Sequence, residues 1–80
     1  MDRNEMRAKA MELLLCEEET LEEREIPAVN AVYYRNTVRG GAALIISPEG
    51  EMLYADPFFI DFDAHIRQYL AGERSVFEEE

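Results

Sequence analysis

Between Gly41 and Ser47 lie five residues, Ala42 to Ile46, with no polar side chain among them. In a strand, successive side chains point to opposite faces, so an all-apolar strand must be covered on both sides or lie in the centre of a sheet. Ser47-Pro48-Glu49-Gly50 follows with a strong turn signature, proline at the second position and glycine at the fourth. Glu51 to Ala55 then returns as a strand. The gap is too short for a parallel crossover, so these two strands pair antiparallel. Val29 to Asn36, rich in β-branched and aromatic residues, supplies a strand before them. In it Val29, Ala31 and Tyr33 point one way, and Asn30, Val32 and Tyr34 the other.

Helices flank these strands. Asp2 to about Thr20 contains no Gly or Pro and is rich in good helix formers. Met6, Ala10, Leu13, Leu14 and Leu21 fall on one side at helical spacing. Met11 and Leu15 lie off that face and form a second apolar strip, which needs cover from another element or another subunit. Glu22 to Glu25 reads as polar connection, and Ile26-Pro27 marks a change to extended geometry. Near the other end, Asp61 or Asp63 can cap a helix start, Phe62, Ile66, Tyr69 and Leu70 share a face, and Gly72 ends the helix.

The expectation is a single α+β domain of order α-β-β-β-α: a three-stranded antiparallel meander with two helices packed on one face. Eighty residues suffice for one core, since a chain this short buries only about 60–65% of its unfolded surface. Residues 1–77 form that domain, and 78–80, three glutamates, a disordered acidic end.

Charge narrows the function classes. The chain carries a formal net charge of −10. Residues 1–27 hold four basic and nine acidic side chains, so the acidity gathers at the first helix and its exit. Such a field repels phosphate backbones and argues against nucleic acid as a partner. It favours encounter with a basic protein partner. No run approaches the roughly 18 apolar residues of a membrane span, and the N-terminus lacks a signal-peptide pattern. Cys16 is the sole cysteine, so no intrachain disulfide forms. A cytoplasmic setting and no membrane partner are the default expectations.

Four residue groups invite a chemical reading. Arg39-Gly40-Gly41 can aim backbone amides and a guanidinium at an anion, with Arg35, Arg67 and Arg74 as the other positive charges after residue 27. Phosphate loops lead from strand into helix, whereas this one leads into a strand, so the plainer reading is glycine serving a hairpin loop or a close backbone approach. Asp61, Asp63 and His65 offer oxygen and imidazole ligands, but at i, i+2 and i+4 they do not share one helix face, and helix capping accounts for the aspartates. Cys16 sits in a leucine run as a packing group. Glu17, Glu18, Glu19, Glu22 and Glu23 form an acidic cluster suited to docking a basic partner. Tyr33, Tyr34, Tyr54, Phe58 and Phe59 exceed what one small sheet face covers, so a subset should mark a contact surface.

No catalytic spacing occurs, and neither a cofactor nor a bound metal is expected. The leading expectation is a non-enzymatic, immunity- or inhibitor-like interaction module. It binds a basic protein through Glu17, Glu18, Glu19, Glu22 and Glu23, and it forms a homodimer through Met11, Leu15, Tyr33 and Tyr34. The alternative is a binder of a small anionic ligand or nucleotide using Arg35, Arg39, Gly40, Gly41, Arg67 and Arg74. Metal-dependent hydrolysis through Asp61 and His65 is a third reading.

Overall fold

Residues 1–38, 41–56 and 60–75 are described by a computed structural model of the chain; Arg39, Gly40, Phe58, Phe59 and the acidic end at 78–80 lie outside the described residues. Helix α1 (Arg3–Leu14) leads through a 3-10 turn (Glu18–Thr20) into four strands, β1 (Leu21–Ile26), β2 (Ala31–Asn36), β3 (Ala43–Ile46) and β4 (Met52–Ala55), followed by helix α2 (Phe62–Leu70). The strands form one antiparallel sheet in chain order, β1-β2-β3-β4. The class is the expected α+β, but the sheet has four strands rather than three.

The additional strand is the segment Glu22 to Glu25, expected to be connection. Its charges are satisfied by strand geometry. Glu22 stands opposite Arg35 in the register and accepts from its Nε at 3.0 Å, while Glu23 stands opposite Tyr34 and accepts from its hydroxyl at 2.7 Å. Cross-strand pairs of opposite charge stabilise a ladder, and a charged strand is well suited to a sheet edge, where it discourages further pairing.

A second difference concerns the helices, which lie on opposite faces of the sheet. Met6, Ala10 and Leu14 of α1 pack with Val32, Tyr34, Leu44 and Ile46. Tyr69 of α2, with Phe62 and Ile66, packs with Ala31, Tyr33, Ala43, Ile45 and Leu53. All four residues of β3 are buried, because each of its faces meets a helix. A strand apolar on both faces cannot be served by two helices on one side; one helix per face is the arrangement that buries it.

Helix α1 is shorter than its composition suggests. Asp2 caps it, accepting from the Glu5 amide at 2.8 Å, while Glu5 accepts from the Asp2 amide. The helix stops at Leu14, and Leu15 takes a left-handed conformation (φ 54°, ψ 47°). Its last turn has no basic residue, and Glu17, Glu18 and Glu19 would extend it with negative charge at the negative end of the helix dipole, an unfavourable continuation. Leu21, expected on the helix, instead packs from β1 against the α1-side core.

The β3–β4 turn and the ends of α2 follow the sequence closely, whereas Val29 and Asn30, expected in a strand, lie in the turn between β1 and β2, where the Val29 amide donates to the Ile26 carbonyl. The Gly50 amide donates to the Ser47 carbonyl at 2.9 Å across the β3–β4 turn. Asp61 caps α2 through the Ala64 amide at 2.8 Å, and Gly72, at φ 95°, follows the helix end.

His65 ties α2 to the sheet. Its side chain is buried, and Nε2 lies 2.8 Å from the Leu53 carbonyl oxygen. The carbonyl only accepts, so Nε2 carries the proton and the neutral ring leaves Nδ1 bare. Burial lowers the imidazole pKa below the ordinary 6.5, with the Leu53 bond opposing in part. The unfolded chain therefore takes a proton at a higher pH than the native state does. His65 contributes stability that is fully present above about pH 6.5 and lost as pH falls through the folded-state value. Urea midpoints are expected to drop between pH 7.5 and pH 5.5, and His65→Gln should remove most of that slope. An unchanged slope in the variant would assign it to other groups.

Candidate functional site

A helix about 10 Å wide covers about two strands spaced about 4.8 Å apart, so one helix cannot cover a whole face of a four-stranded sheet. On its face α1 packs over β2 and β3. Towards β1, its flank is closed by polar contacts. Arg3 bonds Glu25 at 2.8 Å, and Arg7 bonds Glu23 at 3.2 Å. Towards β4 the flank is open among the described residues. There Leu13, Leu14, Leu15, Val38, Ala42 and Tyr54, with Asn36 and Gly41, line a groove of about 270 Å³. Leu15 is 89% exposed, Val38 53% and Tyr54 42%.

Local structure holds this groove in shape. Asn36 donates from Nδ2 to the Leu14 carbonyl at 3.0 Å and accepts the Val38 amide on Oδ1 at 3.0 Å, joining the end of α1 to the β2–β3 loop. Gly41 is required there, since a Cβ at that position would fall 2.4 Å from the Asn36 carbonyl oxygen. Close backbone approach thus explains the second glycine of the pair. The left-handed backbone of Leu15 costs about 1–2 kcal/mol for a residue with a Cβ, yet it presents the leucine side chain to solvent.

The acidic turn adjoins the groove. Glu17, Glu18 and Glu19 are exposed, and the turn is fastened beside Val38 by Thr37, whose amide and hydroxyl both donate to the Thr20 carbonyl at 2.8 Å. The acidic cluster expected to act together is divided. Glu22 and Glu23 lie on opposite faces of β1 in internal pairs: Glu22 with Arg35 and Arg24, Glu23 with Tyr34, Arg7 and Arg3. Burial pushes the Glu23 carboxyl upward, but the Tyr34 hydroxyl, Arg7 and Arg3 outweigh it and hold the pKa below the usual range. Burial, and then the bond to Glu23, pushes the Tyr34 hydroxyl well above the ordinary tyrosine value.

The aromatic contact surface is likewise rearranged. Tyr33 and Tyr34 are buried on opposite faces of β2, within one chain. Of the expected contact residues Met11 is partly covered and Leu15 exposed. Val38 and Tyr54 line the same groove as Leu15 and are also exposed. Tyr54 belongs to the aromatic group expected to supply exposed surface and stands on β4 opposite Leu44, whereas the signal for Val38 was an isolated aliphatic residue in a polar loop.

The described arginines after residue 27 do not gather. Arg35 pairs with Glu22 beside β1, Arg67 is exposed on α2, and Arg74 stacks 3.8 Å from the Tyr69 ring centroid and bonds Glu51 near β4. Asp61 caps α2, Asp63 is exposed and His65 turns inward; among the described residues no group of three His, Cys, Asp or Glu is placed to hold a metal ion. Cys16 packs against the α1-side core, and burial raises its thiol pKa, with Thr20 opposing. Among the described residues no helix is long and apolar enough to cross a membrane. No protein-family model, curated protein or solved structure matches the chain.

Proposed function

We propose that the protein is a non-enzymatic interaction module whose groove beside α1 receives an apolar, basic segment of a partner protein. One observation carries the reading: Leu15 is kept exposed in a costly backbone conformation, immediately before the exposed Glu17, Glu18 and Glu19. Apolar side chains of the partner fill the groove between Leu15, Val38 and Tyr54, and its Lys or Arg residues meet the acidic turn. A second copy of this chain is the competing occupant. It brings two acidic turns together, so added salt weakens binding of a basic partner but favours self-association.

Leu15→Gly separates binding from folding. Glycine adopts the left-handed region without strain, so the variant is expected to be more stable by about 0.5–1 kcal/mol. Its net charge is unchanged. A synthetic amphipathic peptide of leucine and lysine is expected to bind the native protein at low salt, weaken as salt rises, and bind the variant at least tenfold more weakly in calorimetry. Undiminished binding to Leu15→Gly would remove the groove from the interface, and salt-independent binding would remove the acidic turn. Sedimentation showing a dimer that strengthens with salt would assign the groove to a second copy.

A further inference from the structure

Among the described residues the face covered by α2 is open on its other side, towards β1. Arg24, Arg35 and Glu22 of the β1–β2 pair, Tyr33, and Asp61 and Phe62 at the start of α2 line a cleft of about 260 Å³ there. Its charges balance, two guanidiniums against two carboxylates. Glu22 spends one oxygen on each arginine, 3.5 Å from Arg24 Nε and 3.0 Å from Arg35 Nε. The terminal amino groups of both guanidiniums have no further acceptor among the described residues. Arg24 lies 5.0 Å from the Phe62 ring centroid. Phe62 stands edge-on to Tyr33, with ring centroids 4.7 Å apart.

Tyr33 supplies the independent signal. The residue is 4% exposed, and its hydroxyl, in the field of Arg35, Glu22 and Arg24, has no hydrogen-bond partner among the described residues. The hydroxyl is not sealed in the core, since Arg74 Nε is the buried side-chain polar atom left unpaired among the described residues; it opens onto the cleft, where a ligand or water can bond it. Tyr34, next in sequence, is bonded to Glu23 at 2.7 Å.

We propose that this cleft binds a small zwitterion of the α-amino carboxylate class with an aromatic or aliphatic side chain. The ligand carboxylate takes the terminal N–H groups of Arg24 and Arg35 and the Tyr33 hydroxyl. Its ammonium faces Asp61, which uses Oδ1 on the Ala64 amide and keeps a second oxygen. Its side chain lies on the Phe62 ring. A balanced cleft gains from a ligand that carries both charges and gains little from a lone anion or cation. The volume is below the roughly 300–1,000 Å³ of drug-sized pockets, which sets the ligand at the size of one amino acid.

The test uses the full chain and three probes: phenylalanine, 3-phenylpropionate without the amine, and phenethylamine without the carboxylate. Phenylalanine is expected to bind with Kd on the order of a millimolar, followed by NMR shifts at Tyr33, Phe62 and the Arg24 and Arg35 side chains. Each one-ended analogue should bind about tenfold more weakly. Tyr33→Phe keeps the ring contacts and removes a hydroxyl that bonds nothing described, so it should fold normally and raise the Kd several-fold; Arg35→Gln should raise it further. Leu15→Gly should leave it unchanged, which separates this site from the groove on the other face. Absence of shifts with phenylalanine at tens of millimolar, equal binding of phenethylamine, or equal binding to Tyr33→Phe would each overturn the proposal.

Discussion

Leu44→Ala and Ile45→Ala, neighbours in β3, are each expected to cost about 2–5 kcal/mol, the range for emptying a well-packed aliphatic site. Both residues are fully buried, Leu44 among the side chains under α1 and Ile45 among those under α2. The pair tests the layering directly, since neighbours in a strand point to opposite faces. Had both helices covered one face, one of the two would face water, and its loss would fall within about 1 kcal/mol. For a domain of this size each kcal/mol shifts Tm by about 4–8 °C, so both variants should melt well below the native protein. Ile45→Val and Leu44→Val, at smaller cost, keep the comparison measurable if an alanine variant fails to fold. A small effect at either position would mean that its helix does not pack as described.

The run Ala42 to Ile46 conflicts with the expected packing of both helices on one face of the sheet. An apolar strand demands cover on both faces, and with two helices among the described residues one helix per face meets that demand. The apolar stripe of each helix is compatible with either face of the sheet; the strand between them is what separates the two helices. Leu21 to Ile26 was legible only with its partner. Alone, Glu-Glu-Arg-Glu is polar and lacks β-formers; opposite Arg35 and Tyr34 it is a satisfied edge strand, and that pairing is a tertiary fact. Caps and turns, by contrast, were readable because their chemistry is local: Asp61, Gly72 and the Ser47–Gly50 turn fall where their residues indicated.

The candidate sites show the same division. Leu15 was visible as apolar surface outside the main helix face, but its exposure depends on the helix ending at Leu14, a consequence of the acidic residues that follow. Val38 and Tyr54 join it only because Asn36 brings the β2–β3 loop to the end of α1. The arginines after residue 27 were countable but not placeable: the sheet order sets Arg35 near one edge and Arg74 near the other. Both open surfaces have one geometric origin, a single helix laid on a face too wide for it.

Replacing Glu23 with alanine should be the most damaging change to a charged residue. The buried Tyr34 hydroxyl donates to Glu23 Oε2 at 2.7 Å, and Arg7 reaches both carboxylate oxygens, at 3.2 and 3.3 Å. Without the carboxylate, the hydroxyl is left buried without an acceptor, a cost of about 1–3 kcal/mol. Glu23→Gln retains an amide oxygen for Tyr34 and should lose less. Tyr34→Phe removes the donor, so Glu23→Ala should cost less in that background than in the native protein, and the difference in a double-mutant cycle measures the bond. Equal costs in the two backgrounds would show that Glu23 acts through the arginines alone. The pH dependence gives a separate readout. The folded-state pKa of Glu23 lies below its ordinary 4.5, so the unfolded chain takes the proton first as pH falls. The stability Glu23 contributes is present above about pH 4.5 and disappears as pH drops through the folded value, so Glu23→Gln should have a shallower acid limb than the native protein.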